Sequence, residues 1–308
     1  MPTYPILLAH GVARFDFLRD HFVHGLKLPA ENLPDRTHYF RNIRSHLAKN
    51  GFPNVHHTSV EFAGSVGERA AGLKREVGRV LAASKPHTKV HIIGHSMGGL
   101  DARHMIVDLG MAGSVCSLTT IGTPHKGSSF ADWGSEHRAE PVVRGLHQVI
   151  DLDGFLDLKT GPCADFNRRA EAAEADNEVF YQTYACWEEE PKRVFGPLQL
   201  SWKEIKKREE GHNDGLVSVT SQRWTASLRG TRPEPKEVPQ KSFPVLGDHL
   251  NEVGWWDVRQ LSGKLQLSAL RNPLAFLMGL FSDRGVYENQ IKATYLSIAK
   301  DLESRFPV

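Results

Sequence analysis

The pentapeptide Gly94-His95-Ser96-Met97-Gly98 constrains this chain more than any other stretch. It is a G-x-S-x-G pattern set between an apolar run, Val90 to Ile93, and a helix-like stretch, Leu100 to Leu109. Strand, sharp turn and helix in that order hold a serine hydroxyl clear of both elements. Glycines two residues before and after the serine leave room where the helix crosses the strand, and Gly99 adds clearance. The pattern alone arises by chance in roughly one chain in ten of this length. Its meaning therefore depends on partners elsewhere in the chain.

A serine hydroxyl is a poor nucleophile at neutral pH and needs a positioned base. His249 is the candidate base, and Asp214 the group that fixes its tautomer and stabilises the imidazolium. Asp248 and Asp257 compete for the acid's place, but Asp248 adjoins His249 in sequence and is expected to point elsewhere. Asp214 sits in the turn Asn213-Asp214-Gly215, and the resulting order is Ser, Asp, His. An attacked carbonyl becomes an oxyanion that needs preorganised donors. The backbone N–H of Met97, at the start of a helix, is one candidate; the N–H of Val12, following His10-Gly11 after the first strand, is the second. Sixteen histidines mean that most are not catalytic, and His95 and His125 read as ordinary core or solvated residues. His56 and His57 are strand neighbours that point to opposite faces. The chain has no H-E-x-x-H and no paired C-x-x-C, so no zinc site is argued.

Taken in order, the chain alternates strand and helix: strand 4–9, helix 36–50, strand 54–62, a helix opened by the capping-box pair Ser65 and Glu68, strand 89–94, helix 97–109 and strand 115–121. Such alternation predicts an α/β fold, a mostly parallel sheet with helices on both faces. Residues 12–34 read as an irregular excursion. After Pro124 the alternation breaks, and 126–178 reads as a helical cap or lid inserted into a single domain over 1–308. Strand 179–187, a charged and solvated stretch 188–210, a proline-bearing mobile loop 229–241 and a last strand 242–247 follow. Asn272-Pro273 opens an apolar helix to Phe281, expected to pack into the core. Tyr287, Ile291, Tyr295, Ile298 and Leu302 then line one face of a final helix.

A length of 308 residues with 40% hydrophobic and 24% charged side chains supports a sizeable core without disulfides or metals. The net charge of +2 is too balanced to argue for nucleic acid. No apolar run reaches the ~18 residues of a membrane span. Three sparse cysteines and no visible signal peptide favour an intracellular, cytoplasmic setting; secretion with the leader removed is the alternative. In an exported protein Cys163 and Cys186 could pair.

Together, His10 to Asp16, Gly94 to Asp101, Thr119 to Ser128, Asn213 to Val217 and Asp248 to Val253 resemble the triacylglycerol lipases of the α/β-hydrolase superfamily, both the bacterial true lipases and the short intracellular fungal type. The similarity runs in blocks from residue 4 to 257 and is weak over the lid and the last fifty or so residues. The resemblance implies an α/β-hydrolase fold, a triad of Ser96, Asp214 and His249, and an oxyanion hole from Val12 and Met97. It implies a serine carboxylic-ester hydrolase, a lipase or lipase-like esterase, acting on an ester or lipid at a lipid–water interface. An acyltransferase on the same fold is the alternative; a non-catalytic binding protein is disfavoured because all three triad residues are present. One departure stands out. Bacterial true lipases hold calcium near the catalytic histidine through an Asp two residues after it and a Gln six residues after it. Here those positions are Asn251 and Trp255. A neutral amide is a weaker calcium ligand than a carboxylate, and indole nitrogen is no ligand. The calcium site is therefore expected to be absent or much weakened, and no cofactor is expected. Calcium titration followed by thermal unfolding should leave the melting temperature unchanged; tight binding with stabilisation would refute this.

Overall fold

In the computed structural model, residues 4–11, 35, 38–61, 64–137, 154, 157–209, 211–255 and 285–307 are described. Strand β1 (Ile6–Ala9) leads to helix α1 (Ile43–Lys49), β2 (Val55–His57), α2 (Val66–Ala82), β3 (Val90–His95), α3 (Met97–Val107) and β4 (Val115–Ile121). Then come α4 (Ser129–Glu136), α5 (Thr160–Asp176), β5 (Phe180–Ala185), α6 (Gln199–Arg208), α7 (Val219–Gln222), β6 (Ser227–Leu228), β7 (Lys236–Glu237), β8 (Gln240–Ser242) and α8 (Gly285–Arg305). Among the described residues, six strands form one sheet in the order β2-β1-β3-β4-β5-β8, every pair parallel. The chain steps outward from β1 to β2 and returns to β3 on the other side of β1. That reversal opens a crevice beyond the carboxyl ends of β1 and β3, the place where such sheets bind ligands. His10-Gly11 and Ser96 emerge there.

The central strands are apolar along their length because helices cover both faces. Ile6, Leu8, Ile93 and Ile121 face one core with Ile43 and Leu47 of α1 and Ile291, Tyr295, Ile298 and Leu302 of α8. Leu7, Ala9, Ile92 and Leu118 face the other, with Ala70, Leu73, Val77 and Val80 of α2 and Met105 and Ile106 of α3. The capping box of α2 is present: the Ser65 side chain accepts from Glu68 N, and the Glu68 carboxylate accepts from Ser65 N at 2.8 Å. No helix among the described residues is long and apolar enough to cross a membrane.

Several segments differ from the sequence expectation. The helix expected over 36–50 begins only at Ile43, because Asn42 takes a left-handed conformation with φ of 58° and breaks the turn before it. The strand expected over 54–62 stops at His57, whose pairing with Leu8 is the last of the β1–β2 register; Thr58 closes the edge by donating to Leu8 O. The charged stretch 188–210 is not simply solvated. It carries α6, whose Trp202 and Ile205 are buried, and Trp202 Nε1 donates to Glu188 O at 3.0 Å. Lysines fill its outer face, so mean polarity hid the amphipathic period. The loop expected over 229–241 contains β7 and the start of β8, which supplies the sheet's last strand earlier than the expected 242–247. The cysteines are free and buried, so Cys163 and Cys186 do not pair.

Part of the stretch expected as a lid, 126–178, is described. Residues 160–176 form α5, which packs as a crossover helix on α3: Arg103 Nε and Nη2 reach Glu174 at 2.8 and 2.9 Å, both fully buried. Residues 138–153, the excursion 12–34 and the apolar helix 274–281 lie outside the described residues.

A second buried pair ties the helices to the crevice. Arg69 of α2 meets Asp101 of α3 at 2.7 Å, and the same Nη2 donates to His10 O at 2.7 Å. Burial pushes the Asp101 carboxyl up to about 6, against the pull of Arg69. Removing one partner of a buried pair leaves an uncompensated charge. Asp101→Ala should cost about 3–5 kcal/mol of stability, read as a lower urea midpoint.

Candidate active site

The turn after β3 has the geometry its sequence implies. Ser96 adopts φ of 55° and ψ of −133°, a strained conformation for a residue with a side chain. Two backbone bonds hold it: Ser96 N donates to Ile121 O at 2.9 Å, and Gly99 N donates to Ser96 O at 3.1 Å. A methyl group at Gly98 would collide with the Ala9 carbonyl, and one at Gly94 would press on the Gly99 backbone at 2.8 Å. Both positions require glycine because α3 crosses β1 and β3 at backbone contact. Met97 opens α3, so its N–H is one of the four that a helix leaves without an intrahelical acceptor.

Asp214 and His249 come together although 35 residues separate them. His249 N donates to Asp214 O at 2.8 Å, and His249 Nδ1 lies 2.8 Å from Asp214 Oδ2. Asp214 Oδ1 accepts from Leu216 N at 2.8 Å and Val217 N at 2.7 Å. The turn is wedged in place by α6, where Ser201 Oγ donates to Gly215 O. Ser96, Asp214 and His249 are 4%, 0% and 1% exposed, so the group is shielded from bulk water. The His249 ring centroid lies 4.5 Å from that of His95, the residue before Ser96. Val12 and Asp257 lie outside the described residues.

Asp248 points away from His249, as expected. Its Oδ2 accepts from Phe195 N at 2.7 Å, and its Oδ1 accepts from Leu250 N and Asn251 N at 3.0 Å each. Burial pushes its carboxyl up to about 7 against these donors. Asn251 Oδ1 accepts from Asp248 N and its Nδ2 donates to Trp255 O at 2.9 Å, while Trp255 Nε1 donates to Tyr39 O at 2.6 Å. Both side chains at the positions compared with a calcium site are thus spent on internal hydrogen bonds. Among the described residues, His95, His249 and Glu252 bring three donor atoms within 4.8 Å of one another. That set suits a transition metal rather than calcium, but its members already bond one another and Asp214.

Two residues of this site were missed in the sequence. Gln222 Nε2 donates to Asp214 Oδ2, Cys186 O and Val217 O, each at 3.0 Å, and its Oε1 accepts from Cys186 N at 2.8 Å. No motif marks it. Glu252 lies three residues after His249, and its Oε2 is 3.8 Å from His249 Nδ1. It stood in the quoted block Asp248 to Val253 yet was not weighed as an acid. His95, read as an ordinary histidine, joins Glu252 at 2.8 Å. Gln222→Leu should cost about 2–4 kcal/mol in urea unfolding, since each buried polar group left unsatisfied costs about 1–3 kcal/mol.

Comparison with known proteins agrees with this architecture. A family model described as a PGAP1-like alpha/beta domain matches residues 67–144, from α2 past the Ser96 turn and β4. The chain is 29% identical over 287 residues to Triacylglycerol lipase 2 of Saccharomyces cerevisiae, covering 82% of this chain and 81% of that protein. It is 36% identical over 132 residues to a triacylglycerol lipase of Pseudarthrobacter phenanthrenivorans, covering 42% of this chain and 36% of that one. Among solved structures, a metagenomic carboxyl esterase superposes with a TM-score of 0.59 at 16% identity over 98% of this chain and 76% of that one. The mature lipase BlEst2 of Bacillus licheniformis gives 0.55 at 17% identity over 88% and 91%. By sequence the chain is a lipase-like ester hydrolase, and its fold is that of the α/β-hydrolases.

Proposed function

We propose that this protein cleaves carboxylic esters of lipids, triacylglycerols among them, through an acyl-enzyme on Ser96. The observation that supports this most is the buried Asp214–His249 pair, joined at 2.8 Å, beside the strained turn that carries Ser96. Ser96 Oγ attacks the ester carbonyl while His249 takes its proton, and Asp214 stabilises the imidazolium. The Met97 and Val12 N–H groups receive the oxyanion. The tetrahedral intermediate collapses, His249 protonates the leaving alcohol, and water then attacks the acyl-enzyme with His249 again as base. An alcohol in place of water would make the same centre an acyltransferase.

In this reading the side chains carry the chemistry without a cofactor. The substrate is met, in the same reading, at a lipid–water interface. Three free, buried cysteines fit a reducing, intracellular setting.

Hydrolysis of p-nitrophenyl esters from acetate to palmitate tests the reading. Ser96→Ala and His249→Ala should each lower kcat by roughly ten-thousandfold or more, and a chelator should leave the wild-type rate unchanged. Better turnover of the longer chains marks a lipase, and transfer to an added alcohol in preference to water marks the acyltransferase. A folded wild-type protein inert on every ester overturns the proposal.

A further inference from the structure

The variable position of the pentapeptide carries a histidine with two buried partners. His95 Nδ1 lies 2.7 Å from the Tyr39 hydroxyl, and His95 Nε2 lies 2.8 Å from Glu252 Oε2. Tyr39 in turn touches the loop after β1. The backbone of Gly11 hydrogen-bonds its hydroxyl. A Cβ at Gly11 would fall 2.8 Å from Tyr39 Oη and 2.6 Å from Ser96 Cβ, so the loop is pressed between these two side chains. At the other end, Glu252 stands beside both Asp214 and His249. Gly122 has no side chain to collide with the Glu252 carboxylate, and Tyr295 Oη donates to Glu252 O at 2.9 Å. Tyr39 is 8% exposed, and His95 and Glu252 are fully buried.

We infer that Tyr39, His95 and Glu252 form a positioning chain that ties the loop at Gly11 to the acid side of His249, and so sets the placement of the oxyanion donors relative to the base. The inference rests on the ester-hydrolase reading above for its kinetic consequence, though not for its geometry.

The hydrogen bonds have one consistent direction. Gly11 N–H donates to the Tyr39 oxygen, which leaves the hydroxyl proton for His95 Nδ1. Burial, and then the neighbouring His249, hold His95 well below the usual imidazole range, so the ring is neutral and has one N–H to give. With Nδ1 accepting from Tyr39, that proton is on Nε2 and is donated to Glu252 Oε2. Burial, and then the charge of Asp214, push the Glu252 carboxyl well up. Glu252 is therefore favoured in its neutral form beside the Asp214–His249 pair. Every polar atom of the Tyr39 and His95 side chains is thereby used, which is the condition under which a buried network holds a single geometry.

Tyr39→Phe removes one hydroxyl and breaks the chain at its Gly11 end. Glu252→Leu removes the other end, and Glu252→Gln returns an acceptor for His95 Nε2. Oxyanion donors act on the transition state alone, so their misplacement lowers kcat rather than raising KM. Tyr39→Phe and Glu252→Leu should each reduce kcat on a p-nitrophenyl ester by roughly tenfold to a hundredfold, with KM within about twofold. Glu252→Gln should recover part of the loss. The Tyr39→Phe, Glu252→Leu double variant should be no slower than the worse single one, since both break one chain. NMR of isotope-labelled histidine should find His95 neutral near neutral pH and as the Nε2–H tautomer, whether or not esters are substrates. Unchanged kcat in Tyr39→Phe, additive losses in the double variant, or His95 in the other tautomer would each overturn the chain. Should Glu252→Leu fail to fold, Tyr39→Phe and the NMR tautomer decide the question. Wild-type inactivity on esters would instead remove the function reading and leave the tautomer as the test of the chain.

Discussion

The arrangement of this protein depends on backbone contact at Gly98, where the first turn of α3 lies directly against the end of β1. Elements normally keep a side chain's distance from one another; here the distance is that of two main chains. Such an approach forces the sharp turn at Ser96, with its left-handed φ of 55°. It also brings two pieces of chain that follow the neighbouring strands β1 and β3 to one point, the loop at His10-Gly11 and the start of α3. The parallel register Ala9 to Gly94 aligns them. Everything else in the crevice is added to that contact.

What is added is an unusually polar interior. Asp214, Asp248, His249, His95 and Glu252 are all buried, and hydrogen bonds join His249 to Asp214 and His95 to Glu252. Burying charge is costly unless it is paired and hydrogen-bonded. The structure meets that condition in three ways. Asp214 accepts four hydrogen bonds, two from backbone N–H groups and two from side chains. Asp248 accepts three from the backbone around it. His95 and Glu252 are displaced toward their neutral forms by burial. The outer helices follow the same rule: Arg69 with Asp101 and Arg103 with Glu174 are bonded pairs, and the Arg69 pair also holds the carbonyl of His10. Packing and polar satisfaction thus converge on the loop and turn of the crevice.

Much of this was legible in the chain. The turn Gly94 to Gly98 and the capping box at Ser65 each depend on residues close in sequence, and the structure places them as read. The misreadings share a cause. Trp202 and Ile205 were lost among the lysines of α6 because composition averages over a face that the helix separates. The final strand was displaced because Pro239 looked like a loop residue, although its carbonyl accepts from Thr183 N at 3.0 Å and extends the sheet. Gln222 and Glu252 carry no motif, and their importance lies in which carboxylate or imidazole they meet.

The sequence by itself determined the fold class, the turn that carries the serine and the identity of the residues on either side of it. These follow from local propensity, apolar period and steric demand, which act over a few residues and leave a pattern in the order of side chains. The tertiary structure alone decided that Glu252 stands beside the Asp214–His249 pair, that His95 bridges Tyr39 and Glu252, and that Gln222 donates to the same Asp214 oxygen that His249 meets. Those choices are made by hydrogen bonds of 2.7–3.0 Å between residues up to 157 positions apart. A buried polar atom takes whichever partner the packed elements bring within reach, and the order of the chain does not record that reach.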